Sequence, residues 1–307
     1  MFEILSIILP VFLIILTGNL LMKMKLFNSE FVAASNQSVY YVFLPLLMFY
    51  NIAVSDFKQV FSPANILIMI SVTIIVFAGG FLVARLCKLP GGMRGTFVMN
   101  SFRSNLAYIG LPVCFYAFGE HGLAVAIILM GFASPVINIL AVLSMVLGNR
   151  KSFNYRMLLK ETMGNPLIIA CIIGILFSVF KLPLPLFIDR TLDTITGISL
   201  PLALLCIGAT TNFTHLRGDA AAIGVSGILK LVIMPLLGLL GVYATGLTVG
   251  ITEQVMIILL ACPTATSSYI FASTMKGDPD LASGTIVATT MASIVTFIIW
   301  LHVLGAA

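Results

Sequence analysis

Long apolar runs separated by short loops limit what this chain can fold into. A helix of about 20 apolar residues crosses the hydrocarbon core of a bilayer, and such runs recur along the whole sequence. Of the 307 residues, 60% are apolar and 9% are charged, whereas soluble domains carry roughly 25% charged residues. No soluble fold of this length could bury so much apolar surface. The sequence therefore predicts an all-α integral membrane protein embedded in the lipid bilayer.

The apolar runs predict ten transmembrane helices with little chain between them. The expected spans are residues 4–22, 31–53, 63–86, 96–118, 123–147, 166–180, 187–210, 220–245, 255–275 and 281–304. Eleven of the 16 Lys and Arg residues lie in the odd-numbered loops and three in the even-numbered loops. Because basic loops stay in the cytoplasm, we expect cytoplasmic odd loops and extracytoplasmic termini, in the cell (inner) membrane. The basic residues lie in short loops between apolar runs, which argues against a nucleic-acid partner.

An internal repeat indicates that the chain consists of two halves. A shift of 156 residues aligns Pro10 with Pro166, Gly18 with Gly174, Lys25 with Lys181, and Leu44-Pro45-Leu46 with Leu200-Pro201-Leu202. We expect a first five-helix repeat at residues 1–147, a cytoplasmic linker loop at 148–160 and a second repeat at 161–307. Because five is odd, the second repeat enters the membrane from the opposite side, which makes the repeats inverted.

The fourth predicted span is interrupted by polar residues and by residues that break helices. Arg103, Ser104 and Asn105 lie near the middle of this span, about 15 Å from its cytoplasmic end at the helical rise. Gly110 and Pro112 follow them, and we expect both to break the helix. Irregular backbone at this depth survives only where it is buried in protein or lines a wet cavity. This stretch is therefore a candidate binding site.

The polar residues of the fourth span allow more than one interpretation. The guanidinium of Arg103 offers a fork of donors to a substrate carboxylate, or it is a structural group satisfied by carbonyls of a neighbouring broken helix. Asn105 supplies donors to a substrate, or it caps the half-helix that follows the break. The amides at that helix start favour an anion. We expect Arg103, Ser104, Asn105 and Tyr108 to contact the substrate.

The ninth predicted span is interrupted in a similar way. We expect Pro263 to break the helix, and hydroxyl side chains follow it at Thr264, Thr266, Ser267 and Ser268. These hydroxyls either satisfy freed backbone groups or bind a carboxylate or a cation. If the two broken spans cross at their centres, two helix starts face each other with polar side chains between them. That arrangement predicts an anion site without a metal or a cofactor.

Lys230 lies near the middle of the eighth predicted span, and no Asp or Glu is obvious at a similar depth. A charge inside the membrane indicates a functional site by default. The hypothesis is that the Lys230 ammonium occupies the place of a coupling cation and bonds to carbonyls or hydroxyls of the ninth span. A neutral Lys230 is the alternative, because burial disfavours the charged form.

Sequence motifs for enzymatic chemistry are absent. The chain contains neither a GxxxxGK[ST] phosphate loop nor an HExxH zinc motif, which are the signals of ATP hydrolysis and zinc proteolysis. The five cysteines are scattered without CxxC spacing, as is typical of small apolar filler. We therefore expect no enzyme activity and no ATP-driven step within this chain.

Four stretches of the sequence resemble the auxin efflux carrier family in its short bacterial form. They are residues 103–112 (RSNLAYIGLP), Asn165-Pro166, residues 200–209 (LPLALLCIGA) and residues 230–235 (KLVIMP). The resemblance implies two inverted repeats of five helices, in which helices 4 and 9 cross at their broken centres. It also implies a panel of spans 1, 2, 6 and 7 against a moving core, and it suggests a homodimer.

The resemblance further implies transport of organic anions, which are auxin in plant members and dicarboxylates such as malate or malonate in bacterial members. In plant members an Asn in the fourth-helix crossover contacts the substrate carboxylate, and Asn105 matches it by position. This chain lacks the long central hydrophilic loop of plant members and carries Arg103, which argues against auxin itself. The expected function is a secondary active transporter of small organic anions, such as dicarboxylates or auxin-like carboxylates, working by alternating access.

Two other functions stay open at the level of the sequence. A sodium-coupled symporter of the related bile-acid type is the alternative within transport, and sodium-dependent uptake would favour it. A non-transporting membrane sensor is the alternative of a different class, and a soluble signalling domain would favour it. The sequence shows neither a paired acidic cluster near the breaks nor room for a soluble domain.

Overall fold

In the computed structural model, residues 2–149, 164–210 and 218–306 are described, and they form helices joined by turns without a β-strand in these ranges. The α-helices are α1 (Phe2–Lys23), α2 (Ser29–Ser38), α3 (Leu44–Val54), α4 (Phe57–Val60), α5 (Pro63–Leu86), α6 (Gly91–Phe102), α7 (Leu111–Asn149), α8 (Pro166–Val179), α9 (Leu186–Thr196), α10 (Ser199–Thr210), α11 (Ala220–Ile228), α12 (Met234–Ala244), α13 (Ile251–Ala261), α14 (Ser268–Thr274) and α15 (Pro279–Val303). The π-helical turns π1 (Val39–Phe43), π2 (Leu106–Gly110) and π3 (Leu229–Ile233) lead directly into α3, α7 and α12.

Seven helical segments in the described ranges are long and apolar enough to cross a membrane. They are Ile4–Lys23, Ser29–Val54, Pro63–Leu86, Leu106–Gly148, Leu186–Thr210, Ala220–Ala244 and Pro279–Val303. Their length and composition support the prediction of an all-helical, multi-pass membrane protein.

The count of ten membrane spans stays a prediction. The 43-residue segment Leu106–Gly148 contains two helices that meet at Gly119, where φ is 65° and ψ is −157°, between predicted spans 4 and 5. Helices α8 and α13 have 14 and 11 residues, fewer than the roughly 20 that a helix needs to cross a bilayer. The predicted linker loop, 148–160, lies outside the described residues from position 150 onward.

Lys25 and Lys181, which the internal repeat aligns, have the same local structure. Their φ angles are 60° and 51°, in the left-handed region that few residues other than glycine enter. The backbone bonds around them are Lys25 N to Met22 O, Leu26 N to Leu21 O, Lys181 N to Ser178 O and Leu182 N to Phe177 O. Both sets form the Schellman motif, so α1 and α8 end in the same way at aligned positions.

Glycines allow two helix pairs to touch backbone to backbone. Helix α1 packs on α10, and α3 packs on α8. A Cβ at Gly18 would collide with the Leu205 carbonyl, and a Cβ at Gly174 would lie 3.0 Å from the Phe49 carbonyl. Gly18 and Gly174 are also aligned by the repeat, so glycine permits a close helix approach at both aligned positions.

Helices α6 and α13 form the buried centre of the molecule. All residues from 95 to 106 and from 255 to 265 are buried. Both helices contact α5, α7 and α15, while α11 packs on α6 and α12 on α13. Because these neighbours separate the centre from lipid, polar residues and interrupted backbone are tolerated there.

Candidate substrate site at two paired helix breaks

Both central helices are interrupted where the sequence is polar. Helix α6 ends at Phe102 and π2 begins at Leu106, so residues 103–105 form the first break. Helix α13 ends at Ala261 and α14 begins at Ser268, and this second break contains Pro263. The two breaks are the non-helical stretches in the buried centre.

Gly110 and Pro112, which the sequence predicted as helix breakers, lie in helical backbone. Gly110 ends π2, and Pro112 is the second residue of α7. Pro112 directly follows the wide turn π2, whose shifted hydrogen bonds accommodate the missing N–H of a proline. A Cβ at Gly110 would lie 2.9 Å from Leu259 Cδ2, so glycine lets π2 approach α13. The first break therefore precedes both residues.

The two breaks lie side by side and pair with each other, because Ser104 and Thr264 form an isolated antiparallel bridge. The backbone hydrogen bonds of this bridge run from the Asn105 amide to the Pro263 carbonyl (2.8 Å) and from the Ala265 amide to the Arg103 carbonyl (2.9 Å). Each break thus satisfies backbone groups that the other leaves free, as interrupted backbone at membrane depth requires.

Thr264 connects the paired breaks to two helices. Its hydroxyl donates to the Asn100 carbonyl in α6 at 3.0 Å, and its amide donates to the Thr289 hydroxyl in α15 at 3.1 Å. The sequence allowed the Thr264 hydroxyl either to satisfy a free backbone group or to bind a ligand, and these contacts agree with the first interpretation. Thr266 and Ser267 lie in the turn before α14 and are partly buried.

Three buried hydrogen-bond donors in the breaks or directly after them have no partner among the described residues. They are Ser104 Oγ, Asn105 Nδ2 and Ser268 Oγ. The Asn105 side chain also makes no capping hydrogen bond to π2. Leaving such a group unsatisfied costs about 1–3 kcal/mol, so each calls for a specific explanation. A ligand with acceptor oxygens would satisfy the amide and both hydroxyls.

Arg103 is 7% exposed, and its guanidinium contacts residues from two other helices. Its Nη2 donates to Asn138 Oδ1 in α7 at 3.2 Å, and its Cζ lies 4.1 Å from the centroid of the Phe271 ring in α14. A cation over an aromatic face gains about 0.5–2 kcal/mol. The sequence interpretation missed both partners. Asn138 could have been found as a polar residue in an apolar run, whereas Phe271 gives no such signal.

Tyr108 lies on π2 and is partly buried. Tyr40 of π1 and Cys206 of α10 lie near its hydroxyl, and π2 packs on α10. Tyr108 is therefore located where the first broken helix meets α10.

Lys230 lies on π3 and is fully buried. Its Nζ donates to the Leu260 carbonyl at 2.5 Å and to Met234 Sδ at 3.5 Å. Leu260 is the second-last residue of α13. The side-chain nitrogen of Lys230 therefore contacts the end of the helix that leads into the second break.

These features define a class of multi-pass membrane proteins whose polar centre is formed by interrupted helices. The chain belongs to the membrane transport protein family, that of the auxin efflux carriers, whose family model matches residues 3–301. The match confirms the resemblance that the sequence motifs indicated.

Full-length relatives also carry transporter names. An uncharacterized transporter of Methanothermobacter thermautotrophicus is 25% identical over 298 residues, which are 97% of this chain and 97% of the relative. A Rhizobium meliloti protein named "putative malonate transporter" is 26% identical over 305 residues, which are 96% of this chain and 94% of the relative. An uncharacterized transporter of Methanocaldococcus jannaschii is 24% identical over 316 residues, with 96% and 97% coverage.

Proposed function

We propose that this chain is a secondary active transporter of small organic anions that works by alternating access at the paired breaks. The observation that carries the proposal is the set of buried groups without partners, Ser104 Oγ, Asn105 Nδ2 and Ser268 Oγ. Hydroxyl and amide groups can donate hydrogen bonds to carboxylate oxygens. Arg103 lies at the first break and Lys230 contacts the end of α13.

The charges around the breaks favour an anion as the substrate. Residues 91–118 and 254–275 contain no Asp or Glu, so these stretches place no carboxylate that would repel one. Arginine presents its donors as a planar fork that matches a carboxylate. Arg103, Ser104, Asn105, Tyr108, Thr266, Ser267 and Ser268 are the proposed substrate contacts, and Thr264 supports them.

Dicarboxylates are the proposed substrate class, and malonate is the first candidate. The name of the Rhizobium meliloti relative supports this choice, and so do the basic side chains of Arg103 and Lys230. A positive charge on Lys230 would attract the second carboxylate of a dicarboxylate, and this attraction is stronger in the low dielectric constant of the protein interior than in water. Auxin-like monocarboxylates are the comparison substrates.

The proposed architecture has ten helices in two inverted repeats, at 1–147 and 161–307, with the predicted helices 4 and 9 crossing at the breaks. The aligned close approaches at Gly18 and Gly174 support it. The helices of spans 1, 2, 6 and 7 would form the fixed panel. The proposal includes cytoplasmic odd loops, extracytoplasmic termini and a homodimer.

Counterflow in proteoliposomes tests the proposed function. Vesicles are loaded with unlabelled monocarboxylates or dicarboxylates, and uptake of labelled malonate is measured with and without sodium. The wild type is expected to exchange malonate. Asn105→Leu, which replaces the amide by an apolar group of similar size, is expected to lose most of this exchange. Asn51→Leu is the matched control because Asn51 Nδ2 already donates to the Leu47 carbonyl at 3.0 Å.

The outcomes separate the carrier from the assigned site. Equal exchange by the wild type and Asn105→Leu would support a carrier and would show that Asn105 does not contact the substrate. No exchange with any anion, from protein that elutes as one folded species, would contradict the carrier and favour a sensor. Uptake that requires sodium would favour the symporter of the bile-acid type.

A further inference from the structure

An apolar cleft of about 270 Å³ lies between α11 with π3 on one side and α15 on the other. Gly224, Gly227 and Leu231 line the first wall, and Thr289 and Thr296 lie on the second. The cleft is wide at the first wall because its glycines carry no side chain. It is separate from the proposed substrate contacts.

The mouth of the cleft opens among exposed apolar residues. Ile228 and Val232 line it and are 57% and 42% exposed. Its residues on α15, 288–296, lie around the midpoint of that 25-residue helix, which corresponds to the hydrocarbon core of a bilayer. At this depth the molecules outside the cleft are lipid tails, which are about as apolar as leucine.

The walls offer few groups to a polar ligand. The Thr289 hydroxyl is already engaged, because it donates to the Thr285 carbonyl at 2.7 Å and accepts from the Thr264 amide at 3.1 Å. Thr296 Oγ1 is buried without a partner among the described residues, and the other lining residues are apolar or glycine. An apolar wall without a neighbour loses dispersion contacts, so an apolar occupant stabilises the cleft.

We propose that this cleft binds an acyl chain of a bilayer phospholipid. The apolar walls, the lipid-facing mouth and the position at mid-membrane depth together specify that occupant. The cleft lies next to the paired breaks, because Thr289 in its wall accepts a hydrogen bond from the Thr264 amide. A bound acyl chain therefore packs against the residue that supports the second break.

The single tryptophan of the chain reports on the cleft. Trp300 lies one helical turn after Thr296 on α15, and its Nε1 donates to the carbonyl of Leu231 at 2.9 Å. Brominated acyl chains quench tryptophan emission on close approach. The test measures Trp300 emission in vesicles of dioleoyl phosphatidylcholine with and without its brominated analogue.

Gly224→Leu fills the cleft from its α11 wall. A Cβ at Gly224 meets no atom within 4 Å, and the same holds for Gly79 on α5, so Gly79→Leu is the matched control. We expect strong quenching in the wild type and in Gly79→Leu, and a clear loss of quenching in Gly224→Leu. Unchanged emission spectra in lipid without bromine verify that the surroundings of Trp300 are preserved.

Equal quenching in the wild type and Gly224→Leu would overturn the proposal. Wild-type emission that is not quenched by brominated lipid but changes with the protein-to-lipid ratio would assign the cleft to a second copy of the chain. This result would also overturn the proposal. If Gly224→Leu alters the unquenched spectrum, Gly227→Val replaces it, because a Cβ at Gly227 makes only an ordinary contact of 3.5 Å with Thr289 Cγ2.

Discussion

Arg103 places a positive charge beside the paired breaks and holds it against an amide and an aromatic ring. Its contacts with Asn138 and Phe271 fix the direction of the guanidinium. The contact with the Phe271 ring uses the planar face of the group, which lysine lacks. Charge and shape at this position can therefore be separated by substitution.

Arg103→Lys keeps the charge and removes the fork, so malonate exchange should fall. Loss of one charge-assisted hydrogen bond costs about 1.5–3 kcal/mol, which is about tenfold or more in affinity. Initial rates of counterflow over a range of malonate concentrations measure the change. Arg190→Lys is the control because Arg190 is exposed on α9. An unchanged concentration dependence in Arg103→Lys would exclude a forked contact with the substrate.

Lys230→Ala should lower malonate exchange and make the remaining exchange depend on sodium. The reason is that the substitution removes a buried ammonium from the Leu260 carbonyl and leaves a space that a small cation can enter. Counterflow in sodium and in choline buffers measures the effect. Lys58→Ala is the control because Lys58 is exposed on α4. If rate and ion dependence both stay as in the wild type, Lys230 does not take the place of a coupling cation.

At the scale of the helices, each π turn in the described ranges is followed two residues later by a proline. Pro45, Pro112 and Pro235 follow π1, π2 and π3. A proline removes one backbone donor, and a wide turn redistributes the hydrogen bonds just before it. The helices therefore continue through these prolines and are interrupted elsewhere.

Thr264→Val should weaken the packing of the two broken helices. The variant loses the hydrogen bond from the Thr264 hydroxyl to the Asn100 carbonyl, which costs about 1 kcal/mol or more in a buried site. Thermal unfolding of the purified protein in detergent should show a lower midpoint for Thr264→Val. Thr264→Ser keeps the hydroxyl and serves as the control. Equal midpoints for all three proteins would show that this hydrogen bond does not stabilise the fold.

The positions of the breaks show what local sequence could predict. Arg103 and Asn105 drew attention because polar groups at membrane depth need partners, and Pro263 drew attention because it lacks a donor. The prediction that Pro112 breaks the helix was wrong because a π turn precedes this proline. No local sequence pattern indicated that turn. Asn138 and Phe271 come from helices distant in sequence, so only their packing identifies them as partners of Arg103.

At the scale of the whole molecule, hydropathy identified the membrane-protein class but did not settle the number of spans. Hydropathy measures the length of apolar stretches and gives no information on where a helix bends or ends. It therefore could not show that α13 stops after 11 residues. Lys88 ends α5 with the same Schellman motif as Lys25 and Lys181, so this helix end is not specific to the aligned positions.

The predicted orientation of the molecule can be tested with a native cysteine. Cys87 is exposed between α5 and α6, and the other four cysteines are buried. Because loop 3 is predicted to be cytoplasmic, a membrane-impermeant maleimide should label inside-out vesicles and leave intact cells unlabelled. Cys87→Ser should abolish labelling and serves as the control. Labelling of intact cells at Cys87 would reverse the orientation.

The bridge between Ser104 and Thr264 is built from main-chain atoms. Every residue except proline supplies the same amide and carbonyl, so this pairing is independent of which side chains surround it. Mutations at Ser104 or Asn105 can therefore accumulate during evolution while the two breaks stay joined. If these side chains contact the substrate as proposed, a protein of this fold can change its substrate by a few substitutions while the bridge between the breaks is kept.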